Sequence, residues 1–217
     1  MKIEQKILSL TGQFTSRYVF EKGTDPETLY LLLHGYSLSG EAAYKQFSSA
    51  LPKGAMVLAP NGPFPVPVSE GRGYKVGFSW YFYETNTDEY YINMKLGCSY
   101  LAQLLRDLGL NSVSKKVIGY SQGGYLAPFA AEEMKNVTHL IGVNCQFLDE
   151  ELNEPPKFII DSVQGQEDDI VNPEISRRSH EKLVGRGAHG KYVLVPGAGH
   201  GVTPSITDAV AELLLQS

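Results

Sequence analysis

The sequence predicts an α/β protein with one doubly wound, mostly parallel sheet of about eight strands and helices on both of its faces. Short apolar runs rich in β-branched residues alternate with longer amphipathic stretches, which is typical of parallel strands joined by helices. Two runs, 29–33 and 116–119, are continuous rather than alternating, as buried central strands are. The 217 residues suffice for one ordinary domain with a substantial core.

The individual elements follow from the same patterns. The predicted strands are 3–10, 16–21, 28–33, 55–60, 115–120, 138–144, 157–163 and 191–195, of which the first two have the polar alternation of antiparallel edge strands. The predicted helices are 39–51, 88–108, 122–135, 173–185 and 204–216. Thr87 and Asp88 would cap the second helix, and Gly109 would end it. We therefore expect a single domain, 1–217, with an insertion rich in glycine, proline and aromatic residues at about 61–86.

Composition and charge exclude several classes of partner. The net charge is −5 and no long basic run occurs, which argues against nucleic acid and against an anionic membrane surface. No signal peptide and no membrane-length apolar run are visible, so we expect a cytoplasmic protein without stable membrane insertion. The two cysteines, Cys98 and Cys145, lie in no metal-ligand pattern and are expected to be small core residues. No metal site is predicted.

The segment Gly119-Tyr120-Ser121-Gln122-Gly123 matches the pattern Gly-x-Ser-x-Gly between a buried strand and an apolar helix. A sharp turn at that place lifts the serine hydroxyl clear of the sheet, and the start of the helix offers N–H groups to a developing oxyanion. The simpler alternative is a glycine-rich helix start without chemistry. The strand before it and the helix after it favour Ser121 as a nucleophile.

A second glycine-containing turn, His34-Gly35-Tyr36-Ser37-Leu38-Ser39-Gly40, follows the strand predicted to lie beside the nucleophile strand. The backbone N–H groups of Tyr36 and Gln122 would then form an oxyanion hole. His34 could be a catalytic base, but its place at a strand end favours a structural histidine that braces the loop.

A serine nucleophile needs a base and an orienting acid, which in this arrangement follow in the order serine, acid, histidine. His200 lies in a glycine-rich loop after the last strand, at the correct end of the sheet. The other candidates lie at the wrong end or on a solvated helix face; they are His139, His180 and His189. Asp168 and Asp169 both follow the strand 157–163, and either could orient the histidine.

The ordered motifs resemble the carboxylesterase/phospholipase/thioesterase family of small α/β-hydrolases, which includes acyl-protein thioesterases. The matching segments are Leu33-His34-Gly35 with Gly40, Ala59-Pro60-Asn61-Gly62-Pro63, Ser79-Trp80-Tyr81, the serine motif with Gly124, Gly165-x-x-Asp168-x-x-Val171 and Gly199-His200-Gly201. The resemblance implies an α/β-hydrolase fold without a large cap, no cofactor, Asp168 as the acid, and Trp80 near the substrate.

The sequence departs from that family in two loops, because Gln164 replaces a frequent histidine and the Tyr36 loop lacks a common acidic residue. The aromatic residues of 71–91 either line a substrate pocket or pack the loop. We expect a serine hydrolase that cleaves small-molecule carboxylic esters or thioesters through an acyl-enzyme. A peptidase or acyltransferase with the same residues, or a catalytically silent binding protein, remains the alternative, and a homodimer is left open.

Overall fold

The computed structural model describes residues 15–24, 27–152 and 154–216. The strands of these ranges are β1 (Tyr18–Glu21), β2 (Thr28–Leu33), β3 (Met56–Pro60), β4 (Phe64–Glu70), β5 (Gly73–Ser79), β6 (Phe82–Glu84), β7 (Glu89–Ile92), β8 (Ser114–Tyr120), β9 (Val137–Val143), β10 (Ile159–Gly165) and β11 (Tyr192–Val195). The helices are α1 (Gly40–Phe47), α2 (Met94–Asp107), α3 (Gln122–Glu133), α4 (Pro173–Gly185) and α5 (Pro204–Leu215), with a short 3-10 helix at Ser48–Ala50.

Among the described residues, seven strands form the main sheet in the order β1-β3-β2-β8-β9-β10-β11. Only β1 runs antiparallel to its neighbour, and the other pairs in the sheet are parallel. The predicted fold class is thus confirmed, including the antiparallel edge. The predicted strand at 3–10 lies outside the described residues.

The central strand β2 supplies side chains to two cores because its residues alternate between the faces of the sheet. Leu31 belongs to the core under α2, α3 and α4, whereas Leu32 belongs to the core under α1 and α5. Each is fully buried, and burying such a side chain contributes about 1.5–3 kcal/mol. Helices therefore cover both faces, as the continuous apolar run predicted. None of the helices in the described ranges has the length and apolar character needed to cross a bilayer.

The predicted helix 88–108 is wrong at its start. Residues Glu89–Ile92 form β7, which pairs antiparallel with β6, and α2 begins only at Met94. Asn93 caps the helix by accepting a hydrogen bond from the N–H of Lys95 at 2.9 Å. Asp88 lies in the preceding turn with φ 58°, and the aromatic and β-branched residues after it favour a strand. Gly109, with φ 72°, follows the helix end as predicted.

The segment predicted as an insertion at 61–86 forms hairpins. Strands β4 and β5 pair from Phe64 with Ser79 to Glu70 with Gly73. The turn between them contains Gly71 with φ 58°, a conformation that glycine adopts without strain. Together with the β6–β7 hairpin, this ordered structure lies between β3 and α2. The part of the chain that the structure describes contains no large cap domain.

Candidate active site

Ser121 lies at the sharp turn between β8 and α3, where the sequence predicts a nucleophile. Its φ of 50° and ψ of −120° are strained for a residue with a side chain, as in a nucleophile elbow. A Cβ on Gly119 would lie 2.5 Å from the carbonyl oxygen of Gly123, and a Cβ on Gly123 would lie 2.5 Å from that of Leu33. The turn therefore requires glycine at both positions.

The structure brings Ser121, His200 and Asp168 together at the carboxyl ends of the parallel strands. Nε2 of His200 lies 3.1 Å from Oγ of Ser121. Nδ1 of the same ring lies 2.9 Å from Oδ2 of Asp168 and 3.1 Å from Oδ1. Asp169, the other candidate acid, is exposed. Since the carboxylate accepts from Nδ1–H, Nε2 is left free to accept a proton from the hydroxyl.

The carboxylate of Asp168 is buried and surrounded by donors. Its Oδ1 accepts from the N–H groups of Ile170 at 2.9 Å and Val171 at 2.8 Å, and its Oδ2 accepts from Nε2 of Gln164 at 2.8 Å. Burial alone would raise the pKa of Asp168, but the hydrogen bonds from Val171, His200 and Ile170 outweigh it and lower that pKa. The group thus stays ionised beside the imidazole. Gln164, the departure from the family pattern, serves as one of its donors.

Hydrogen bonds from the ends of two neighbouring strands hold the loop that carries His200. The carbonyl oxygen of His200 accepts hydrogen bonds from Oη of Tyr120 at 2.9 Å and from Nδ2 of Asn144 at 2.6 Å. The sequence analysis missed Asn144. Its signal was a polar residue directly after the apolar run 140–143, on the same sheet edge as the proposed nucleophile.

Three of the other four histidines have structural contacts, and the fourth, His189, is exposed. His34 is fully buried; its Nε2 accepts from the N–H of Gly62 at 2.8 Å, and its Nδ1 donates to the carbonyl of Gly35 at 2.7 Å. Burial lowers the pKa of His34 to about 4, so the ring is neutral at pH 7 and braces the loop as predicted. His139 contacts Asp161 at 2.7 Å. His180 was expected on a solvated face, but it is buried and contacts the carbonyl of Ile160 at 3.0 Å.

The two expected oxyanion donors come from different segments, Tyr36 from the loop after β2 and Gln122 from the first residue of α3. In the described ranges, the backbone N–H groups of Tyr36 and Gln122 take part in no hydrogen bond. The following residue, Ser37, donates its N–H to the carbonyl of Phe78 at 2.9 Å, and Phe78 donates back to Leu38 at 2.9 Å. The β4–β5 hairpin therefore holds this loop in place. The arrangement leaves two N–H groups available for a developing negative charge.

The family resemblance implied that Trp80 lies near the substrate, and the structure places it buried beside the serine turn. Its side chain is 0% exposed, and its Nε1–H donates to the carbonyl of His34 at 2.8 Å. Its ring packs against that of His34 with centroids 4.8 Å apart. The main chain also binds the side chain of Gln122. The N–H of Trp80 donates to Oε1 of Gln122 at 3.0 Å, and Nε2 of Gln122 donates to the carbonyl of Tyr81 at 3.0 Å. Trp80 thus supports the end of β2 at His34 and the residue that follows Ser121.

Neither cysteine is available for chemistry, as the sequence predicts. Both thiols are buried, and burial raises the pKa of Cys98 to about 12 and raises the pKa of Cys145 as well. Within residues 15–24, 27–152 and 154–216, no three histidine, cysteine or carboxylate side chains lie together as metal ligands.

Comparisons with known proteins address the family and the fold. The family model described as serine hydrolase (FSH1) matches residues 1–205. No curated protein matches the sequence. Among solved structures, Zea mays acyl-protein thioesterase 2 is 19% identical, with 94% of this chain and 99% of that chain covered and a TM-score of 0.69. A carboxylesterase from Mesorhizobium loti is 16% identical, with 94% of this chain and 95% of that chain covered and a TM-score of 0.71. The Bacillus cereus carboxylesterase is 17% identical, with 93% of this chain and 94% of that chain covered and a TM-score of 0.70. These structures share the fold.

Proposed function

The chain belongs to the serine hydrolase (FSH1) family, which confirms the resemblance found in the sequence, and we propose that it hydrolyses small-molecule carboxylic esters or thioesters. The observation that carries this proposal is the continuous contact from Ser121 Oγ to His200 Nε2 at 3.1 Å and from His200 Nδ1 to Asp168 Oδ2 at 2.9 Å. Such a relay allows a serine to attack a carbonyl at neutral pH.

In the proposed reaction, Oγ of Ser121 forms a bond to the acyl carbon while its proton passes to Nε2 of His200. Asp168 stabilises the imidazolium that results. The carbonyl oxygen becomes an oxyanion between the N–H groups of Tyr36 and Gln122. As the carbon–oxygen or carbon–sulfur bond breaks, Nε2 passes its proton to the leaving alkoxide or thiolate, which departs as the alcohol or thiol and leaves the imidazole neutral. Water then attacks the acyl-enzyme by the same route, which releases the acid and regenerates Ser121.

We propose esters and thioesters as the substrates for two reasons. The solved structures that share this fold include proteins named carboxylesterase and acyl-protein thioesterase. The site is also built from the chain's own side chains and N–H groups, which is the machinery that acyl transfer to water needs. A cytoplasmic location, predicted from the sequence, is part of the proposal.

The test is turnover of p-nitrophenyl acetate and of an acyl thioester by the wild-type chain and by Ser121→Ala. Ser99→Ala is the matched control, since Ser99 lies on the exposed side of α2 and its Oγ contacts Glu133 at 3.0 Å. We expect a burst of p-nitrophenol in the wild type and in Ser99→Ala, and no turnover above background in Ser121→Ala. Unchanged turnover in Ser121→Ala would reject the proposal. Products analysed with and without an added alcohol or amine distinguish hydrolysis from acyl transfer.

A further inference from the structure

Asn144 connects the loop of the base to the strand of the acid. It directly follows β9, is 0% exposed and has φ 47°, in the left-handed region. Its Oδ1 accepts from the N–H of Gly165 at 2.8 Å. Its Nδ2 donates to the carbonyl of Gly199 at 3.2 Å and to that of His200 at 2.6 Å. We propose that Asn144 is a positioning residue for the hydrolytic reaction, which sets the distance between His200 and Ser121. This inference rests on the function proposed above.

The loop that carries His200, residues 197–201, must span several strands to reach Ser121. His200 follows β11, at the edge of the sheet, whereas Ser121 follows β8, three strands away across β9 and β10. With neighbouring strands about 4.8 Å apart, the ends of β8 and β11 are roughly 14 Å apart. The loop must therefore fold back over the ends of β10 and β9 to bring the imidazole to the hydroxyl. Asn144 lies at the end of β9, beneath that path.

The loop has little of its own to hold it there. Residues 197–201 read Gly-Ala-Gly-His-Gly, so the side chains that could fix its course are few. A Cβ on Gly165 would lie 2.4 Å from the carbonyl oxygen of Gly199, which shows how closely the loop lies on the end of β10. The anchors come from other elements. The N–H of Glu167 donates to the carbonyl of Ala198 at 2.8 Å. At His200 itself, the carbonyl accepts from Asn144 and from the hydroxyl of Tyr120, the latter at 2.9 Å.

An asparagine suits this position for chemical reasons. The left-handed conformation favours Gly, Asn and Asp. Of these, only Asn offers an acceptor to the N–H of Gly165 and a donor to the two carbonyls at once. Asp would turn a carboxylate oxygen toward the carbonyls of Gly199 and His200, and Gly would leave buried polar groups without partners.

The experiment compares Asn144→Gly and Asn144→Asp with Asn136→Gly and Asn136→Asp. Asn136 has φ 57° and its Nδ2 donates to the carbonyl of Ser112 at 2.8 Å, but it precedes β9 at the opposite end of the sheet. We expect the Asn144 variants to lower kcat on p-nitrophenyl acetate about 10- to 100-fold with KM changed less than about twofold, because small displacements of a base are costly. The Asn136 variants should keep kcat within about twofold of wild type.

A second readout separates positioning from general damage. In the wild type, the Nδ1 proton of His200, shared with Asp168, should give a strongly downfield proton NMR signal. We expect that signal to be lost or shifted in folded Asn144→Asp and Asn144→Gly, and retained in the Asn136 variants. Should Asn144→Gly fail to fold, Asn144→Asp, which keeps the acceptor for Gly165, carries the test. Wild-type kcat and an unchanged signal in a folded Asn144 variant would overturn the inference. Absence of ester turnover in the wild type would instead overturn the proposed function, and the NMR comparison would still test Asn144.

Discussion

The N–H of Ser37 donates to the carbonyl of Phe78 at 2.9 Å, and this contact ties the Tyr36 loop to the β4–β5 hairpin. The hairpin lies in the segment that the sequence marks as an insertion. Its strand β5 runs so close to the loop that a Cβ on Gly77 would lie 2.2 Å from the carbonyl oxygen of Ser37. The insertion therefore supports one of the two proposed oxyanion donors from behind.

Gly77→Ala should displace the Tyr36 loop and slow acyl transfer. Loss of one oxyanion donor costs about 10²–10³ in rate, and a displaced donor part of that, so we expect kcat to fall about 10-fold or more. The matched control is Gly73→Ala on the same strand, where the nearest atom to an added Cβ is 4.0 Å away. Steady-state kinetics on p-nitrophenyl acetate measure both. Equal rates for the two variants would show that the hairpin does not position the donor.

Asp168→Asn should abolish most activity while leaving the fold intact. The substitution keeps the shape of the side chain but removes the charge that orients and stabilises the imidazolium, and in serine proteases the equivalent change costs about 10⁴ in kcat. Asp169→Asn is the control, because Asp169 is exposed. We expect kcat to fall about 10³- to 10⁴-fold only in Asp168→Asn. A comparable loss of kcat in Asp169→Asn would contradict the assignment of Asp168 as the acid.

His34 should make the protein less stable in mild acid. Burial lowers the pKa of His34 to about 4, from an ordinary value of 6.5. The unfolded chain therefore binds the proton first, so the stability present above pH 6.5 is lost as the pH falls toward 4. The shift corresponds to about 3 kcal/mol in the free energy of unfolding.

Urea unfolding between pH 7 and pH 4 tests this dependence. The loss of stability should be smaller in His34→Gln, which has no titrating ring, and unchanged in His189→Gln, where the histidine is exposed. Parallel pH profiles for wild type and His34→Gln would contradict the assignment.

The sequence was sufficient for the parts of the site that depend on local order along the chain. The turn at Ser121 needs glycines at fixed spacing, and His200 had to follow the last strand of the sheet, so both could be predicted. Asp168 could not be separated from Asp169 by the residues alone, and the family resemblance made that choice. In the structure, the buried carboxylate of Asp168 contacts the imidazole at 2.9 Å.

The features that the sequence does not predict depend on contacts between distant segments. The ring of Trp80 packs against those of His34 and Tyr100, which lie 46 and 20 residues away along the chain, so its neighbours in sequence do not predict its burial. Residues 89–92 read as the first turn of a helix, yet pairing with β6 makes them a strand. Asn144 escaped notice because its three partners lie more than twenty residues away, and only the sheet brings them together.

The central claim is that Ser121 is the residue acylated during turnover. The most direct measurement is mass spectrometry of the chain quenched during the burst with p-nitrophenyl acetate, followed by peptide mapping. We expect a stoichiometric acetyl group on the peptide that contains Ser121, and no acetyl group on Ser121→Ala. An acetyl group on any other residue, or a burst in Ser121→Ala, would contradict the account.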